Sequence, residues 1–266
     1  MPAVSAESVP IMGLPFSRVD EPTVVQLFRD GVRSGVGGWI VTPNLDILRQ
    51  FTADAESQDL VLSASHRVAD GVPIVWASRL AGAPLPGRVN GTDLTYSLPR
   101  AAAEAGARVL LLGGNPGSAE AAARRLEALY PGLGTVASYC PPFGYESDPP
   151  ELARMRSAVR DARPDLVLVG LPFPKQQKLI RWLRSELPQA WFAAVGVSFS
   201  FIAGEQPRAP VVLQRLGLEW LHRLCHEPRR LFRRYVIQGF PFGLRLLAWA
   251  MSQRLRAGRG PVRNGL

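Results

Sequence analysis

Three arginines near the C-terminus have a type and spacing suited to binding phosphate groups. Arg223, Arg230 and Arg233 lie on either side of Glu227-Pro228. Residues three apart share one face of a helix, so Arg230 aligns with Arg233, and a bend at Pro228 would bring Arg223 near them. Guanidinium groups that converge on a cleft can hold a diphosphate without a metal ion. A solvated basic face is the alternative interpretation.

The charge of the chain is concentrated around these arginines. Residues 208–266 contain twelve arginines, no lysine and two acidic residues, for a net charge of +10, whereas residues 1–207 carry −1. A nearly neutral body with a basic tail implies a polyanionic partner, which could be phosphate, nucleic acid or an anionic membrane surface. The scarcity of acidic residues in the tail argues against a merely solvated face.

A second candidate site is a glycine-rich turn. An apolar run at 110–112 is followed by Gly113, Gly114 and Gly117, and then by a helix-like stretch. Backbone N–H groups at such a turn can face a phosphate or ribose. The spacing does not satisfy the dinucleotide fingerprint, and a tight left-handed turn that requires glycine explains it equally well. Both interpretations stay open on sequence alone.

Two further polar segments follow or precede apolar runs. Asp70-Gly71 stands before an apolar segment, and Thr42-Pro43-Asn44 ends another. Taken locally, Asp70 fits a surface turn, and Thr42 and Asn44 fit helix N-caps. Local spacing does not favour a catalytic role for any of them.

Composition limits the class of protein. Cys140 and Cys225 are too few for a disulfide framework, and His222 and His226 lack a third metal ligand. The N-terminus has no signal-peptide pattern, and no apolar run approaches about 18 residues. We therefore expect a cytoplasmic protein, soluble or bound to a membrane from its surface, with no metal and no cofactor.

The apolar periodicity predicts a Rossmann-like α/β fold: a parallel sheet flanked by helices, with a C-terminal helical basic appendage. The predicted domains are an extended lead-in at 1–20, a catalytic core at 21–207 and the appendage at 208–266. Predicted strands are Gly38–Thr42, Ile74–Ala77, Arg108–Leu112, Thr135–Tyr139, Asp165–Val169 and Trp191–Val195. Predicted helices are near 22–33, 44–53, 57–66, 93–105, 117–129, 150–162, 175–186 and 211–226.

The last part of the appendage shows a second amphipathic pattern. Leu244, Leu247, Ala248, Met251 and Leu255 fall on one face of a predicted helix. Pro241 is expected to start or end a helix, and the chain beyond Ala257 is expected to fray.

Several short segments together resemble the WecG/TagA/CpsF glycosyltransferases, bacterial enzymes that act on undecaprenyl-diphosphate-linked sugars. Their order and spacing agree over roughly residues 22–240. The segments are Thr42-Pro-Asn44, Asp70-Gly71, Arg88-Val-Asn-Gly91-Thr-Asp93, Leu112-Gly-Gly114, Pro174-Lys-Gln176, Arg208-Ala-Pro210, Glu219-Trp220 and Glu227-Pro-Arg-Arg230.

The resemblance implies inverting, metal-independent transfer of a sugar from a UDP-sugar, typically UDP-N-acetylmannosamine, to a hydroxyl of the lipid-linked sugar. It implies that Asp70 is the general base and that Thr42 belongs to the active site. The substrate-binding residues it implies are Asn44, Arg88, Gly91, Asp93, Gly113, Gly114, Lys175, Gln176, Arg223, Arg230 and Arg233. It also implies peripheral association with the inner face of the plasma membrane through the appendage, and possible self-association.

The chain departs from the family pattern at three positions. Phe173 replaces a small residue, Gln177 replaces a glutamate and Ser200 replaces an aspartate. Two lost carboxylates near a sugar pocket point to a different donor or acceptor, such as another hexose. The reaction type is therefore a firmer expectation than the donor sugar.

Two other classes of protein compete with this interpretation. A nucleotide-binding regulator whose arginine tail grips nucleic acid is motivated by the same tail, but the apolar face of the tail argues against it, since phosphate-tracking tails need none. An NAD-type oxidoreductase is disfavoured by the incomplete glycine fingerprint.

Overall fold

A computed structural model describes residues 7–134 and 136–258. Two strands form an antiparallel hairpin and six form a parallel sheet. The strands are β1 (Ser8–Ile11), β2 (Leu14–Ser17), β3 (Gly38–Val41), β4 (His66–Arg67), β5 (Val109–Gly113), β6 (Ala137–Tyr139), β7 (Leu166–Gly170) and β8 (Trp191–Ala194).

Helices account for most of the remaining chain. In the body they are α1 (Glu21–Ser34), α2 (Leu45–Phe51), α3 (Ala55–Leu62), α4 (Val72–Leu80), α5 (Gly91–Ala105), α6 (Ser118–Leu129), α7 (Pro149–Ala162), α8 (Lys175–Glu186) and α9 (Ser198–Ala203). In the tail they are α10 (Val211–Arg215), α11 (Glu219–His226), α12 (Pro228–Phe232) and α13 (Phe240–Gly258), with a π-helical segment at Arg233–Gly239.

The predicted Rossmann-like α/β fold is confirmed. The sheet order is β4-β3-β8-β7-β5-β6, with parallel neighbours throughout. Strands β5 and β7 are buried along their whole length, because apolar clusters cover both faces of the sheet. From β5 the chain runs outward to β6, and from β7 it returns towards β8. Adjacent strands whose connections diverge in this way open a crevice at their carboxyl ends.

The prediction of a strand at Ile74–Ala77 is wrong, because this segment lies inside helix α4. Pro73 is in the first turn of α4, where its missing N–H leaves no helical bond unmade. Ile74, Ala77 and Ser78 are buried, while Trp76 points outward. The run of β-branched and apolar residues favoured a strand, but the strand that pairs with β3 is β4. Because β4 begins at His66, the helix predicted at 57–66 ends earlier, at Leu62.

The N-terminal segment forms more structure than its sequence predicted. Val9, Ile11, Leu14 and Phe16 alternate with polar or half-exposed residues and are buried in the hairpin β1–β2. Prolines at positions 10 and 15 concealed this alternation at the sequence level. Residues 1–6 lie outside the described residues.

The helix predicted at 211–226 is divided in two by Gly217. This glycine has φ +73, and a Cβ there would lie 2.4 Å from Cγ2 of Val72. Both the left-handed backbone and the close contact with Val72 favour glycine at this position. The left-handed conformation interrupts the helix, so α10 ends before Gly217 and α11 begins after it. Pro241 lies at the start of α13, but the chain before it is already π-helical, so helical backbone continues across the proline.

Helix α13 packs on the body through one of two apolar faces. Phe242, Leu246 and Ala250 are buried against α2 and α4. The stripe predicted from the sequence lies on the other side, where Leu244 and Met251 are exposed. Within the described ranges, no helix combines the length and the apolar content needed to cross a membrane. The chain was predicted to fray beyond Ala257; Gly258 is still part of α13, and residues 259–266 lie outside those ranges.

Candidate active site

The carboxyl ends of β3, β4 and β8 bring the predicted catalytic segments together. Thr42 directly follows β3, and Asp70 comes three residues after β4. The Asp70 N–H donates to the Pro43 carbonyl at 3.1 Å, and the Val89 N–H donates to the Ala69 carbonyl at 2.9 Å. Backbone bonds therefore place three segments that are remote in sequence side by side at one edge of the sheet.

Asp70 has the most perturbed environment of this group. Its side chain is half-buried, with part of its surface accessible to solvent. Burial raises the pKa of the Asp70 carboxyl to about 7, with Glu219 and Asp93 adding to the rise and Arg88 and Arg223 opposing it. A carboxylate with a pKa near neutrality is suited to accept a proton during catalysis.

Two arginines and two acidic residues form a network beside Asp70. Arg208 binds Asp93 at 2.5 Å and approaches Glu219 at 3.7 Å. Arg88 lies 3.9 Å from Asp93 and 3.6 Å from Glu219. The charges therefore alternate in space, and the network holds the tail helix α11 against the body.

Arg208 and Glu219 were not among the predicted site residues. Both stand in segments that resemble the family, but no periodicity links them to Asp93, which is 115 residues before Arg208. Asn90, also missed, donates to Glu219 at 3.3 Å and caps helix α5 through a 2.8 Å bond from the Thr92 N–H. Only the folded chain brings these residues into contact.

Thr42 and Gly91 form a tight contact under the site. The Thr42 hydroxyl donates to the Ala194 carbonyl at 3.3 Å and is buried. A Cβ at Gly91 would lie 3.3 Å from the Thr42 hydroxyl oxygen, so glycine lets α5 begin close to β3. Asn44 caps α2 by accepting from the N–H groups of Asp46 and Ile47, each at 3.1 Å. Asn44 thus has the N-cap contacts expected from its local sequence.

The glycine-rich turn lies at the crevice between β5 and β7. Gly113 pairs in register with Gly170, and the Gly114 N–H donates to the Gly170 carbonyl at 2.8 Å. Gly114 has φ +88, and a Cβ there would lie 3.1 Å from the Phe199 ring. Backbone conformation and close packing both favour glycine, and the same turn leaves backbone exposed towards a ligand.

Lys175 and Gln176 begin helix α8 on the other wall of this crevice. The Lys175 ammonium pairs with Glu146 at 2.6 Å, which connects α8 to the loop after β6. The Gln176 side-chain carbonyl accepts from the Gly196 N–H at 3.3 Å and is buried. Gln176 therefore positions the backbone just after β8.

The three C-terminal arginines do not occupy one place. Arg223 faces the Asp70 network, where its positive charge opposes the rise in the pKa of Asp70. Its guanidinium also lies 5.8 Å from the centre of the Phe201 ring. Arg230 and Arg233 line a separate hollow beside α2. Glu227 connects the two places. It binds Arg230 at 2.6 Å, and this hydrogen bond is the main reason why the pKa of Glu227 is lowered; the charge of Arg223 lowers that pKa further.

The hollow beside α2 is strongly basic. Its volume is about 430 Å³, and its lining residues are Asp46, Arg49, Gln50, Arg230, Arg233, Arg234 and Gln238. Asp46 binds both Arg49 and Arg234 at 2.9 Å, which ties the tail to the first turn of α2. The sequence contained no signal that Arg49 and Arg234 would join the predicted arginines.

The three departures from the family pattern lie in different surroundings. Ser200 is buried beside the glycine-rich turn, and its hydroxyl accepts from the Asn115 amide at 3.2 Å. Gln177 is 0% exposed, and its amide has no hydrogen-bond partner among the described residues. Phe173 is half-buried against the core. Ser200 is therefore next to the crevice, whereas Gln177 is not at a surface that a substrate could contact.

The arrangement combines a proton acceptor, cationic groups and a ligand crevice at one edge of a sheet. Asp70 can take a proton from a hydroxyl group that approaches its accessible surface. Arg88, Arg208 and Arg223 supply positive charge around it, which stabilises developing or resident negative charge. Such a site can support transfer of a group that leaves as a phosphate or diphosphate.

Comparison with known proteins supports a relationship over most of the chain. The model of the Glycosyl transferase WecG/TagA/CpsF family matches residues 9–256. An N-acetylglucosaminyldiphosphoundecaprenol N-acetyl-beta-D-mannosaminyltransferase of Bacillus spizizenii is 33% identical over 194 residues, which is 73% of each chain. A protein of the same name from Staphylococcus aureus strain MW2 is 30% identical over 230 residues, covering 85% of this chain and 87% of the relative.

Proposed function

The chain belongs to the WecG/TagA/CpsF family of glycosyltransferases, and we propose that it transfers a sugar from a UDP-sugar to a hydroxyl of an undecaprenyl-diphosphate-linked sugar. The names of the relatives support the lipid-linked acceptor. The single observation that carries the mechanism is the environment of the Asp70 carboxyl. Burial raises the pKa of this group to about 7, and Arg88 and Arg223 lie close enough to oppose the rise. The product would serve synthesis of a cell-surface polysaccharide.

The proposed step is a single displacement with Asp70 as the base. The Asp70 carboxylate takes the proton of the acceptor hydroxyl while the oxygen of that hydroxyl forms a bond to the anomeric carbon of the donor. The bond from that carbon to UDP breaks, and UDP leaves with the electron pair. Attack from the face opposite the leaving group inverts the anomeric centre. Thr42, buried next to this edge, positions α5 and the backbone of β8 under the reacting groups.

The donor is proposed to bind in the crevice between β5 and β7. Gly113 and Gly114 let the protein backbone approach a phosphate or ribose of the donor closely. Lys175 stands on the opposite wall, where it is paired with Glu146 and can donate a hydrogen bond to a phosphate. Arginine and lysine charges can neutralise a departing diphosphate, so transfer is expected to proceed without a divalent ion.

The acceptor diphosphate is proposed to bind in the basic hollow beside α2. Arg230 and Arg233 from the tail and Arg49 from the body line this hollow, and its volume of about 430 Å³ can accommodate a diphosphate. Asp46 neutralises part of the charge of Arg49 and Arg234, and Glu227 pairs with Arg230. Arg233 has no ion-pair partner among the described residues and therefore holds the least compensated charge in the hollow. The lipid would then extend from the hollow towards the membrane.

The tail is proposed to lie on an anionic membrane at the inner face of the plasma membrane. The outward face of α13 carries Phe240, Leu244, Met251 and Leu255, all more than half exposed. Basic residues beside an apolar stripe are typical of helices that rest in the plane of a charged lipid surface. An acceptor anchored in the bilayer requires such an arrangement. A homo-oligomer that uses the same tail is a further possibility within this proposal.

The donor sugar is proposed to be N-acetylmannosamine or another hexose. The relatives are named as N-acetylmannosaminyltransferases. Ser200 forms a neutral hydrogen bond with Asn115 at the rim of the crevice, where the family pattern has a carboxylate. Without the carboxylate, this position can no longer accept a charge-assisted hydrogen bond from a hydroxyl or amide group of the sugar, which changes the sugars that it favours.

The first test is an assay of UDP release with a panel of UDP-sugars. Purified protein is incubated with EDTA and a short-chain lipid-diphosphate-N-acetylglucosamine, with a parallel sample that lacks the acceptor. We expect release with one donor only when the acceptor is present. Release that does not depend on acceptor, or none with any donor from folded protein, would contradict the proposed function.

A further inference from the structure

Helix α4 of the body presents an apolar face that the described residues do not cover. Trp76 is 54% exposed and Leu80 is 39% exposed, while Ile74 and Ala77 on the other side are fully buried. The two side chains are one turn apart on the helix, so they form one apolar face, and an exposed apolar patch marks an interaction site where neighbouring apolar residues extend it. The face lies in the body, outside the basic tail.

The tail surrounds this helix at both ends. At the start of α4, the turn at Gly217 lies against Val72, so closely that a Cβ at Gly217 would be 2.4 Å from a Val72 methyl carbon. Just after α4 ends, Arg254 of α13 lies over Gly82, where a Cβ would be 2.7 Å from its guanidinium. The two ends of α4 therefore adjoin the tail, one at the turn between α10 and α11 and the other at α13.

The tail segments that adjoin α4 also carry exposed apolar residues. Leu216 near Gly217 and Leu221 on α11 are exposed, as are Met251 and Leu255 towards the end of α13. We define the surface formed by Trp76, Leu80 and these four residues as the α4–tail surface. It combines one aromatic and several aliphatic side chains from three separate segments of the chain.

The charge around the α4–tail surface decides which partner fits it. Arg79, Arg245, Arg254 and Arg256 lie on α4 and α13, and neither helix contains an acidic residue. None of the four has an ion-pair partner within the described part of the chain. A second copy of this face would place like charges together, whereas an anionic bilayer matches both the apolar area and the arginines.

We propose that α4 is part of the membrane-binding surface, with Trp76 and Leu80 entering the interfacial layer of an anionic bilayer beside the tail. This rests on the proposed function only in taking the acceptor to be membrane-anchored. Trp76 lies six residues after Asp70 on the helix that begins at Val72. At about 1.5 Å rise per residue, the Cα of Trp76 is roughly 6 Å along the helix axis from that of Val72, which follows Asp70 by two positions.

The first arm of the test measures binding to vesicles. Trp76→Ala combined with Leu80→Ala is compared with the wild type by co-sedimentation with phosphatidylcholine/phosphatidylglycerol vesicles. We expect partitioning to fall by about tenfold, because the apolar area of two side chains no longer leaves water. The control is Leu129→Ala, which removes a leucine that is 56% exposed, more than Leu80, from α6 in the body and should leave partitioning unchanged. Melting temperatures confirm that all variants fold.

The second arm reports insertion directly. Vesicles with brominated acyl chains quench the fluorescence of tryptophans that enter the bilayer interface. We expect stronger quenching in the wild type than in Trp76→Phe, which keeps an aromatic ring and should retain most of the binding. Equal quenching in the two proteins, together with wild-type partitioning of the double variant, would overturn the proposal.

The third arm separates this proposal from the proposed function. The double variant should transfer sugar normally to a short-chain, water-soluble acceptor and poorly to a long-chain acceptor in vesicles. If the wild type transfers to neither acceptor, the proposed function fails, while partitioning and quenching still decide the role of α4. A lipid-free sedimentation coefficient that drops in the double variant would assign the face to a second copy and contradict membrane contact.

Discussion

At the scale of single residues, the proposed function depends on how the protein surrounds Asp70. Burial raises the pKa of its carboxyl to about 7, and Arg88 and Arg223 limit the rise. An aspartate with an ordinary pKa would be a poorer base, because its affinity for the acceptor proton would be lower. The surroundings thus balance proton affinity against the need for an ionised group at working pH.

The first prediction concerns Asp70→Asn. The rate of transfer by the wild type should rise with pH through about 7 and then level off, since the base must be ionised. The variant should lose at least about 100-fold in kcat, in keeping with the contribution of a positioned general base, while the Kd for the UDP-sugar changes little. Rates of UDP release against pH and calorimetric titration of the donor measure these effects. A variant with a wild-type rate would remove Asp70 from the mechanism.

The same group has a consequence for stability with a defined sign. The pKa of Asp70 is raised in the folded state, from 3.8 to about 7. The unfolded chain therefore releases the proton first, so the free energy of unfolding falls as pH rises from about 4 to about 7. Asp70→Asn lacks this penalty, and its melting temperature relative to the wild type should be higher at pH 8 than at pH 4. The pH dependence of the difference supplies a control for folding of the catalytically impaired variant.

At the scale of elements, the crevice between β5 and β7 depends on a turn that can only be built with glycine. Gly114 combines φ +88 with a Cβ position 3.1 Å from Phe199. The strand–turn–helix unit from β5 to α6 therefore sets the path of the backbone at the carboxyl end of β5, where the donor is proposed to bind. In helix α4, by contrast, no residue fixes the type of element, because a short apolar run is compatible with a strand or a helix.

The second prediction compares two glycines with left-handed backbone. Gly114→Ala should raise the Kd for the UDP-sugar by about tenfold or more and lower the melting temperature, because backbone strain of about 1–2 kcal/mol adds to a steric contact with Phe199. Gly106→Ala is the matched control, since Gly106 has φ +64 at the end of α5 and open space around its Cβ position. It should lose stability but bind the donor normally. Equal donor affinity in both variants would contradict a donor site at this turn.

At the scale of the whole molecule, the basic tail is packed onto the body. Helix α13 buries Phe242, Leu246 and Ala250 against α2 and α4, while its second apolar face stays exposed. The Asp46–Arg234 ion pair at 2.9 Å and the Arg208–Asp93 pair connect tail and body at two further places. The basic hollow exists only because these contacts bring tail arginines next to α2.

The third prediction tests that hollow. Arg230→Gln and Arg233→Gln should each raise KM for the lipid-diphosphate acceptor by roughly 10- to 100-fold, the range expected for a lost charge-assisted hydrogen bond of about 1.5–3 kcal/mol. KM for the UDP-sugar should stay unchanged. Arg229→Gln is the matched control, because Arg229 is an exposed neighbour that does not line the hollow. Equal effects of all three changes would indicate a general effect of tail charge in place of a specific site.

Much of the fold could be predicted from the sequence. The apolar runs of β5 and β7 predict buried parallel strands, and the amphipathic periodicity of the body helices predicts most of their positions. Strands β1, β2 and β4 and helix α9 were not predicted, and α4 was predicted as a strand. The sequence explains two of these failures. The run at Ile74–Ala77 is short and apolar, so periodicity does not separate a strand from a buried helix, and prolines hid the alternation of the hairpin.

The sequence by itself determined the charge separation between tail and body, the parallel α/β sheet and the segments that match the family. These properties are local or additive, so residue types and their spacing suffice. Only the tertiary structure decided that Asp70 meets Arg88, Glu219 and Arg223, and that Arg223 parts from Arg230 and Arg233. Burial and the charge environment depend on contacts between residues more than 100 positions apart, such as Arg208 with Asp93. Such contacts exist only after the chain has folded.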